Sequence, residues 1–164
     1  MQLPDLLPDV QFPPLPRNDA AFRYTFEVKR AALGPYIVER WGWDEAFQMQ
    51  MHQARFTEKP FFKIVRDRCE AGTLSVMRLP DHIRFGEFYL FPDYQGKGLG
   101  SRVLRHCLLL ADEQGMPVRL EHLKWNPVGA LYRRHGFAVV GESEIHWFMQ
   151  RAPTKPAGWI RHVG

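Results

Sequence analysis

Cysteine is nearly missing from this chain: two occur among 164 residues, Cys69 and Cys107, in unrelated contexts and without CxxC spacing. That leaves a disulfide framework or a thiolate zinc site without support and fits a reducing compartment. No apolar run approaches the roughly 20 residues that a bilayer crossing needs, which excludes a membrane-spanning helix. The start of the chain carries Asp5 and Asp9 but neither a basic leader nor an apolar stretch. It does not read as a secretory signal, and a cytoplasmic protein is expected. The seven histidines show no HExxH or comparable ligand spacing, so no metal is expected. Strong charge of one sign is missing too, with 22 Lys and Arg against 18 acidic residues and a net charge of +4. This balance favours anionic ligands but is spread along the chain. Arginine makes up 16 of the 22 cations, which suits phosphate contacts, yet no nucleic-acid motif accompanies them and no such partner is expected.

What is present is an ordinary globular composition, 45% hydrophobic and 24% charged, at a length that buries one sizeable core. Pro4, Pro8, Pro13, Pro14 and Pro16 remove backbone donors and fix φ, so residues 1–20 read as a proline-rich extended arm rather than a packed element. Residues 21–151 form the expected domain, and 152–164, which lack any period, read as a mobile tail. Tyr24, Phe26 and Val28 alternate with polar neighbours, predicting a strand. Helices are predicted over Ala31–Arg40 and Asp44–Phe56, broken at Trp41-Gly42-Trp43, with Asp44 as N-cap. Strands are expected at Phe61–Val65, Ala71–Leu79 and Ile83–Phe91, forming an antiparallel meander with turns at Asp67-Arg68 and Pro80-Asp81.

Gly98–Gln114 is the strongest helix, with a wide apolar stripe including Leu99, Val103, Leu104, Cys107, Leu108 and Ala111, and Gly115 placed to stop it. A short strand at Val118–Leu123 follows. Pro127–Arg134 reads as a helix with Asn126 as N-cap and Gly136 at its end, and Ala138–Gln150 as a final strand pair. Strands that run into a helix and then another strand imply a mixed sheet with at least one parallel pairing, an α+β or α/β arrangement.

The chemistry concentrates in Gln95-Gly96-Lys97-Gly98-Leu99-Gly100-Ser101. Alternate glycines let the backbone turn sharply, so that successive N–H groups converge on an anion at a helix N-terminus. No P-loop string is present, and a dinucleotide fingerprint fails at Ser101 and at Val103. Lys97, Arg102 and Arg105 stand in or just after the loop, placed to neutralise phosphates.

The Gln95–Gly100 string, preceded by Leu90-Phe91-Pro92-Asp93-Tyr94, resembles the acetyl-CoA signature of the GNAT superfamily of N-acetyltransferases. A second block, Asn126-Pro127-Val128-Gly129-Ala130-Leu131-Tyr132-Arg133-Arg134-His135-Gly136-Phe137, resembles the family's Asn-Pro, Ala, Leu-Tyr and Gly-Phe pattern. The resemblance spans roughly Phe22 to Arg151. It implies an α/β fold with a mixed, mostly antiparallel splayed sheet of roughly six or seven strands and about four helices. It also implies acetyl-CoA as cosubstrate, a primary amine as acceptor and direct attack in a ternary complex. A homodimer stays open, as does a non-catalytic acyl-CoA-binding module.

The same resemblance assigns backbone groups of Phe88, Tyr89 and Leu90 to the pantetheine arm, with Leu90 N–H polarising the thioester carbonyl and a β-bulge freeing that donor. The pyrophosphate falls to Gln95, Gly96, Lys97, Gly98, Leu99, Gly100 and Ser101. Tyr132 matches the acid for the leaving thiolate, although its spacing also fits a core aromatic. Asn126 matches a cofactor contact and is a good N-cap as well. Glu87 and Glu121 compete for the base, Glu87 being the first choice, and both also fit a solvated strand face. His122 reads as a half-buried core histidine or a proton relay, and Cys107 as packing. Trp41, Trp43, Phe47, Met49 and Met51 either line the acceptor site or belong to the core.

Overall fold

The computed structural model describes residues 1–154; the remainder of the expected tail, 155–164, lies outside the described residues. Its central sheet has seven strands in the order β1-β2-β3-β4-β5-β7-β6. These are β1 (Val10–Gln11), β2 (Phe62–Arg66), β3 (Cys69–Arg78), β4 (Ile83–Leu90), β5 (Val118–Leu123), β6 (Ala138–Glu142) and β7 (His146–Arg151). The four α-helices are α1 (Asp19–Trp41), α2 (Glu45–Glu58), α3 (Leu99–Glu113) and α4 (Gly129–Arg134). Every pairing is antiparallel except β4 with β5, which gives the mixed sheet expected from a strand, a crossover helix and a return strand.

The meander β2-β3-β4 forms as its turn residues dictate, with Asp67 and Arg68 both at positive φ between β2 and β3. Helix α3 begins at Gly98, whose φ of 82° only glycine adopts without strain. It buries Leu99, Val103, Leu104, Cys107, Leu108 and Ala111 against the sheet. In α4 the first turn starts later than predicted, but Asn126 Oδ1 still accepts from Val128 N–H at 3.1 Å.

Two sequence expectations are overturned. The stretch around Tyr24, Phe26 and Val28 is helical, the opening of the 23-residue α1. Alternation over a few residues does not separate a strand from a helix, and the deciding signal lies just before it. Asn18 caps the helix by accepting from Ala21 N–H at 2.9 Å, and Asp19 complements the helix dipole in the first turn. Ala21, Thr25, Val28, Lys29, Leu33 and Ile37 then fall on one buried face at helical spacing.

The proline-rich arm is packed, not free. Leu3, Val10 and Phe12 are buried in the main core, β1 pairs with β2, and Phe12 stacks on His106 of α3 with ring centroids 5.5 Å apart. Proline forbids the interior of a sheet but not a short edge strand, and this arm makes one. Asp9 clamps Arg102 of α3 through two hydrogen bonds of 2.7 and 3.0 Å. At the other end, Thr154 donates twice to Asp112, which also holds Arg151 in a bidentate pair. The stretch after β7 is thereby anchored as far as it is described.

The arm's packing predicts that Phe12→Ala removes about 3 kcal/mol of stability. For a domain of this size the melting temperature should fall by roughly 6 to 12 °C, read by calorimetry.

Candidate active site

The site begins with a fault in the sheet. Between Thr73, which faces Tyr89, and Ser75, which faces Gly86, the single residue Leu74 of β3 opposes both Glu87 and Phe88 of β4. Glu87 sits at φ 48°, a conformation that non-glycine residues seldom adopt and that marks a β-bulge. Gly72 makes room for the distorted strand, since a Cβ there would lie 2.1 Å from Tyr89 O. β4 pairs with β5 only at Ile83 and Arg84; from there on, through the bulge, the two strands part. Phe91 N–H donates to Ala71 O on the β3 side, so strand alternation turns Leu90 N–H to the opposite edge, the one β5 has left.

The loop at the end of this strand makes a short 3-10 turn over Pro92–Tyr94 and then swings through Gly96 at φ 71° and Gly98 at φ 82°. Gln95 is exposed, and its side-chain amide folds back to donate to Leu90 O at 2.8 Å. The first i to i−4 bond of α3 is Arg102 N–H to Gly98 O, which leaves the amides of Leu99, Gly100 and Ser101 without helical partners. A Cβ placed on Gly96 or Gly98 would meet nothing within 4 Å, so the turn is open at both glycines. Lys97 and Arg105 are exposed there. Arg102 is a correction: Asp9 already neutralises it, and it is not the phosphate ligand its position suggested. Ser101 hydrogen-bonds His135 Nε2 at 3.1 Å.

On the other side of the parted strands lies a cavity of about 660 Å³. It brings together Glu87, Phe88, Tyr89, Glu121, Asn126 and Tyr132, whereas Leu90 and the loop 95–101 lie apart from its walls. Trp41, Phe47 and Met51 line it as anticipated, but Met49 and Trp43 do not. Trp43 instead donates to Glu45.

Tyr132 is packed among Phe85, Phe137 and His122, with ring centroids 5.6 to 6.4 Å away. Burial raises the pKa of its phenol, keeping it protonated, and no group among the described residues hydrogen-bonds its hydroxyl. His122 Nδ1 lies 2.9 Å from Leu123 O. A carbonyl only accepts, so Nδ1 carries the proton and the sealed, unpartnered Nε2 keeps its lone pair. Burial lowers its pKa further, as for a core histidine. Cys107 is enclosed and its thiol pushed up to about 12 by burial, an inert packing group.

The two candidate carboxylates differ sharply. Glu121 is exposed on the cavity wall. Glu87 is 8% exposed, and its Oε1 receives Lys59 Nζ at 3.2 Å and Arg55 Nε at 3.5 Å. Burial pushes its pKa up, but Lys59, Lys29 and Arg55 together pull it below the ordinary 4.5. Sequence reasoning missed this cation cluster. A strand around Tyr24 puts Lys29 on its polar side, and only the helical spacing of Thr25, Lys29 and Leu33 turns it inward.

A model of the GNAT acetyltransferase domain matches residues 58–139 of this sequence, half of the chain and the part that holds the bulge, the loop and Tyr132. The chain belongs to the GNAT acetyltransferase family. A search of curated sequences finds no significant match. Among solved structures, this GNAT chain is similar in fold to the PaiA N-acetyltransferase of Thermoplasma acidophilum in complex with coenzyme A. That match has a TM-score of 0.69 at 16% identity and covers 87% of this chain and 98% of that one. An acetyltransferase from Thermus thermophilus matches with TM-score 0.66 at 15% identity, covering 89% and 98%. A ribosomal-protein-alanine N-acetyltransferase from Escherichia coli matches with TM-score 0.62 at 15% identity, covering 93% and 99%.

Glu87→Gln strands the buried Lys29 and Lys59 and the half-buried Arg55 and should cost about 3 kcal/mol at pH 7 in urea unfolding. Because the folded pKa of Glu87 lies below its unfolded value, its contribution is whole above pH 4.5 and fades as pH falls through the folded value. The stability gap between the two proteins should therefore close in acid.

Proposed function

We propose that this chain transfers an acetyl group from acetyl-CoA to a primary amine by direct attack in a ternary complex. The observation that carries the reading is the gap between β4 and β5. On one side it adjoins a row of unpaired amides at the head of α3, and on the other it adjoins a cavity, open to solvent, holding a protonated phenol. The residues present fit the cosubstrate: the space before Gly96 and Gly98 is open, Lys97 is exposed beside it, and the loop amides and helix dipole suit a pyrophosphate. When bound, acetyl-CoA supplies a thioester carbonyl as electrophile and a thiolate as leaving group.

The chain's own groups then divide the work. Backbone groups of Phe88, Tyr89 and Leu90 hold the pantetheine arm as an added strand would be held, and Leu90 N–H donates to the carbonyl oxygen as negative charge builds there. The side-chain oxygen of Asn126 is occupied by Val128 N–H, which leaves its amide hydrogens for the cofactor. As the new C–N bond forms and the C–S bond breaks, Tyr132 gives its phenolic proton to the departing sulfur. Glu121 takes the ammonium proton through water. It has solvent access, whereas the carboxylate of Glu87 is held ionised by its cations and is the weaker base. Glu87 serves as the counter-charge that keeps the cation cluster in place.

Two outcomes test this reading. Gly98→Glu puts a carboxylate before the loop amides and should abolish the rise in melting temperature that coenzyme A produces; an undiminished rise would sink the loop assignment. Tyr132→Phe removes no protein hydrogen bond, so it should fold normally and keep its response to coenzyme A. Its thiol release with a reactive amine should slow by roughly 100-fold, and equal rates would take Tyr132 out of the chemistry.

A further inference from the structure

The walls of the cavity carry more positive charge than its one buried carboxylate can balance. Lys29, Arg55 and Lys59 converge on Glu87. Lys59 and Arg55 both reach Oε1, whereas Lys29 makes no hydrogen bond or ion pair with any described residue. Its side chain is enclosed, the residue being 4% exposed. Its amino nitrogen is not among the polar atoms sealed from solvent without a partner; it opens into the cavity it lines. Of the other charges on these walls, Glu121 is exposed and is the base of the proposed transfer; the rest are engaged. Arg84 is paired with Glu58 at 2.8 Å, Arg119 donates to Gln150, and Asp44 caps α2. The neighbouring His52 stays neutral, its pKa lowered to about 4 chiefly by burial.

Resting on the acyl-transfer reading, we infer that the acceptor is an aminocarboxylate, an amine whose own carboxylate docks on Lys29 and Arg55 in this cavity. An unpaired ammonium in a low-dielectric pocket is costly, and a ligand carboxylate at Lys29 would remove that cost while forming a charge-assisted hydrogen bond. The same excess of positive charge repels acceptors that bring only further cations, so polyamines and lysine-rich peptides are disfavoured by Coulomb repulsion. A zwitterion enters without that penalty, its amine remaining free to face the parted strands. The pKa of Lys29 is lowered to about 8, with burial as the main cause, Glu87 opposing it and Arg55 and Lys59 adding to it, which accords with an amine whose shared carboxylate leaves room for a further counter-ion.

The experiment follows thiol release by the full chain from acetyl-CoA with α- and ω-amino acids, each matched to its own amide, together with spermidine and phosphoethanolamine. Aminocarboxylates should exceed their amides at least tenfold in kcat/KM. Lys29→Met should collapse that ratio through a raised KM for the acids, and Lys29→Arg should retain it. The response of each variant to coenzyme A verifies that it is folded. Amides or spermidine turned over as well as the acids, or a ratio unmoved by Lys29→Met, would overturn the inference; preference for phosphoethanolamine would reassign the subsite to phosphate and overturn it equally. Should no amine release thiol, the transfer reading fails. The subsite is then judged by binding alone: N-acetyl amino acids, but not their amides, should raise the melting temperature of the coenzyme A-saturated protein, and no difference would sink it.

Discussion

The bulge at Glu87 governs the rest of the site. One extra residue in β4 turns the strand away from β5, and everything placed in the cleft is there because the two strands stop pairing after Arg84. A residue with a Cβ held at φ 48° sits in a sparsely populated region, at a cost of order 1 to 3 kcal/mol. Its surroundings fix it firmly. Thr73 donates to its carbonyl at 3.2 Å, Gly72 lets the distorted strand approach, and Lys59 and Arg55 hold its side chain. The same ion cluster that anchors the bulge also sets the charge of the cavity, so backbone geometry and electrostatics are joined at one residue.

The two sides of the gap have opposite physical character. The side at α3 is built from backbone: positive-φ glycines, unpaired amides and a helix dipole, with Lys97 as the nearby charge. Such a surface recognises an anion by its oxygens and is indifferent to the rest of the molecule. The opposite side is built from side chains on α1, α2, β4, β5 and α4, and it is there that size, apolarity and net charge select a partner. On the proposed function, phosphate recognition would need only a short contiguous string, whereas acceptor recognition would draw on residues scattered over more than a hundred positions.

The packed N-terminal arm shows how a distant segment removes a false candidate from the site. Arg102 lies one turn into α3, where a phosphate-binding cation would be welcome, but Asp9 occupies it. The pair ties the arm to α3 at its first turn and leaves Lys97 and Arg105 as the exposed cations of that end. Burial of Leu3, Val10 and Phe12 makes the arm part of the core that supports the helix.

The meander, the glycine loop, α3 and the capped turn at Asn126 were readable from the sequence because their causes lie within a few residues of their effects. A positive φ calls for glycine, a cap for Asn or Asp, and an apolar stripe needs only helical spacing. The pairing of two local motifs likewise sufficed to point to the family. What tertiary structure alone decided was which cation neutralises which carboxylate and which face of α1 looks into the cavity. Burial and ion pairing join residues 28 positions apart at Lys59 and Glu87, and 93 apart at Asp9 and Arg102. No local rule reaches that far, since the energy of a buried charge depends on what the folded chain brings beside it.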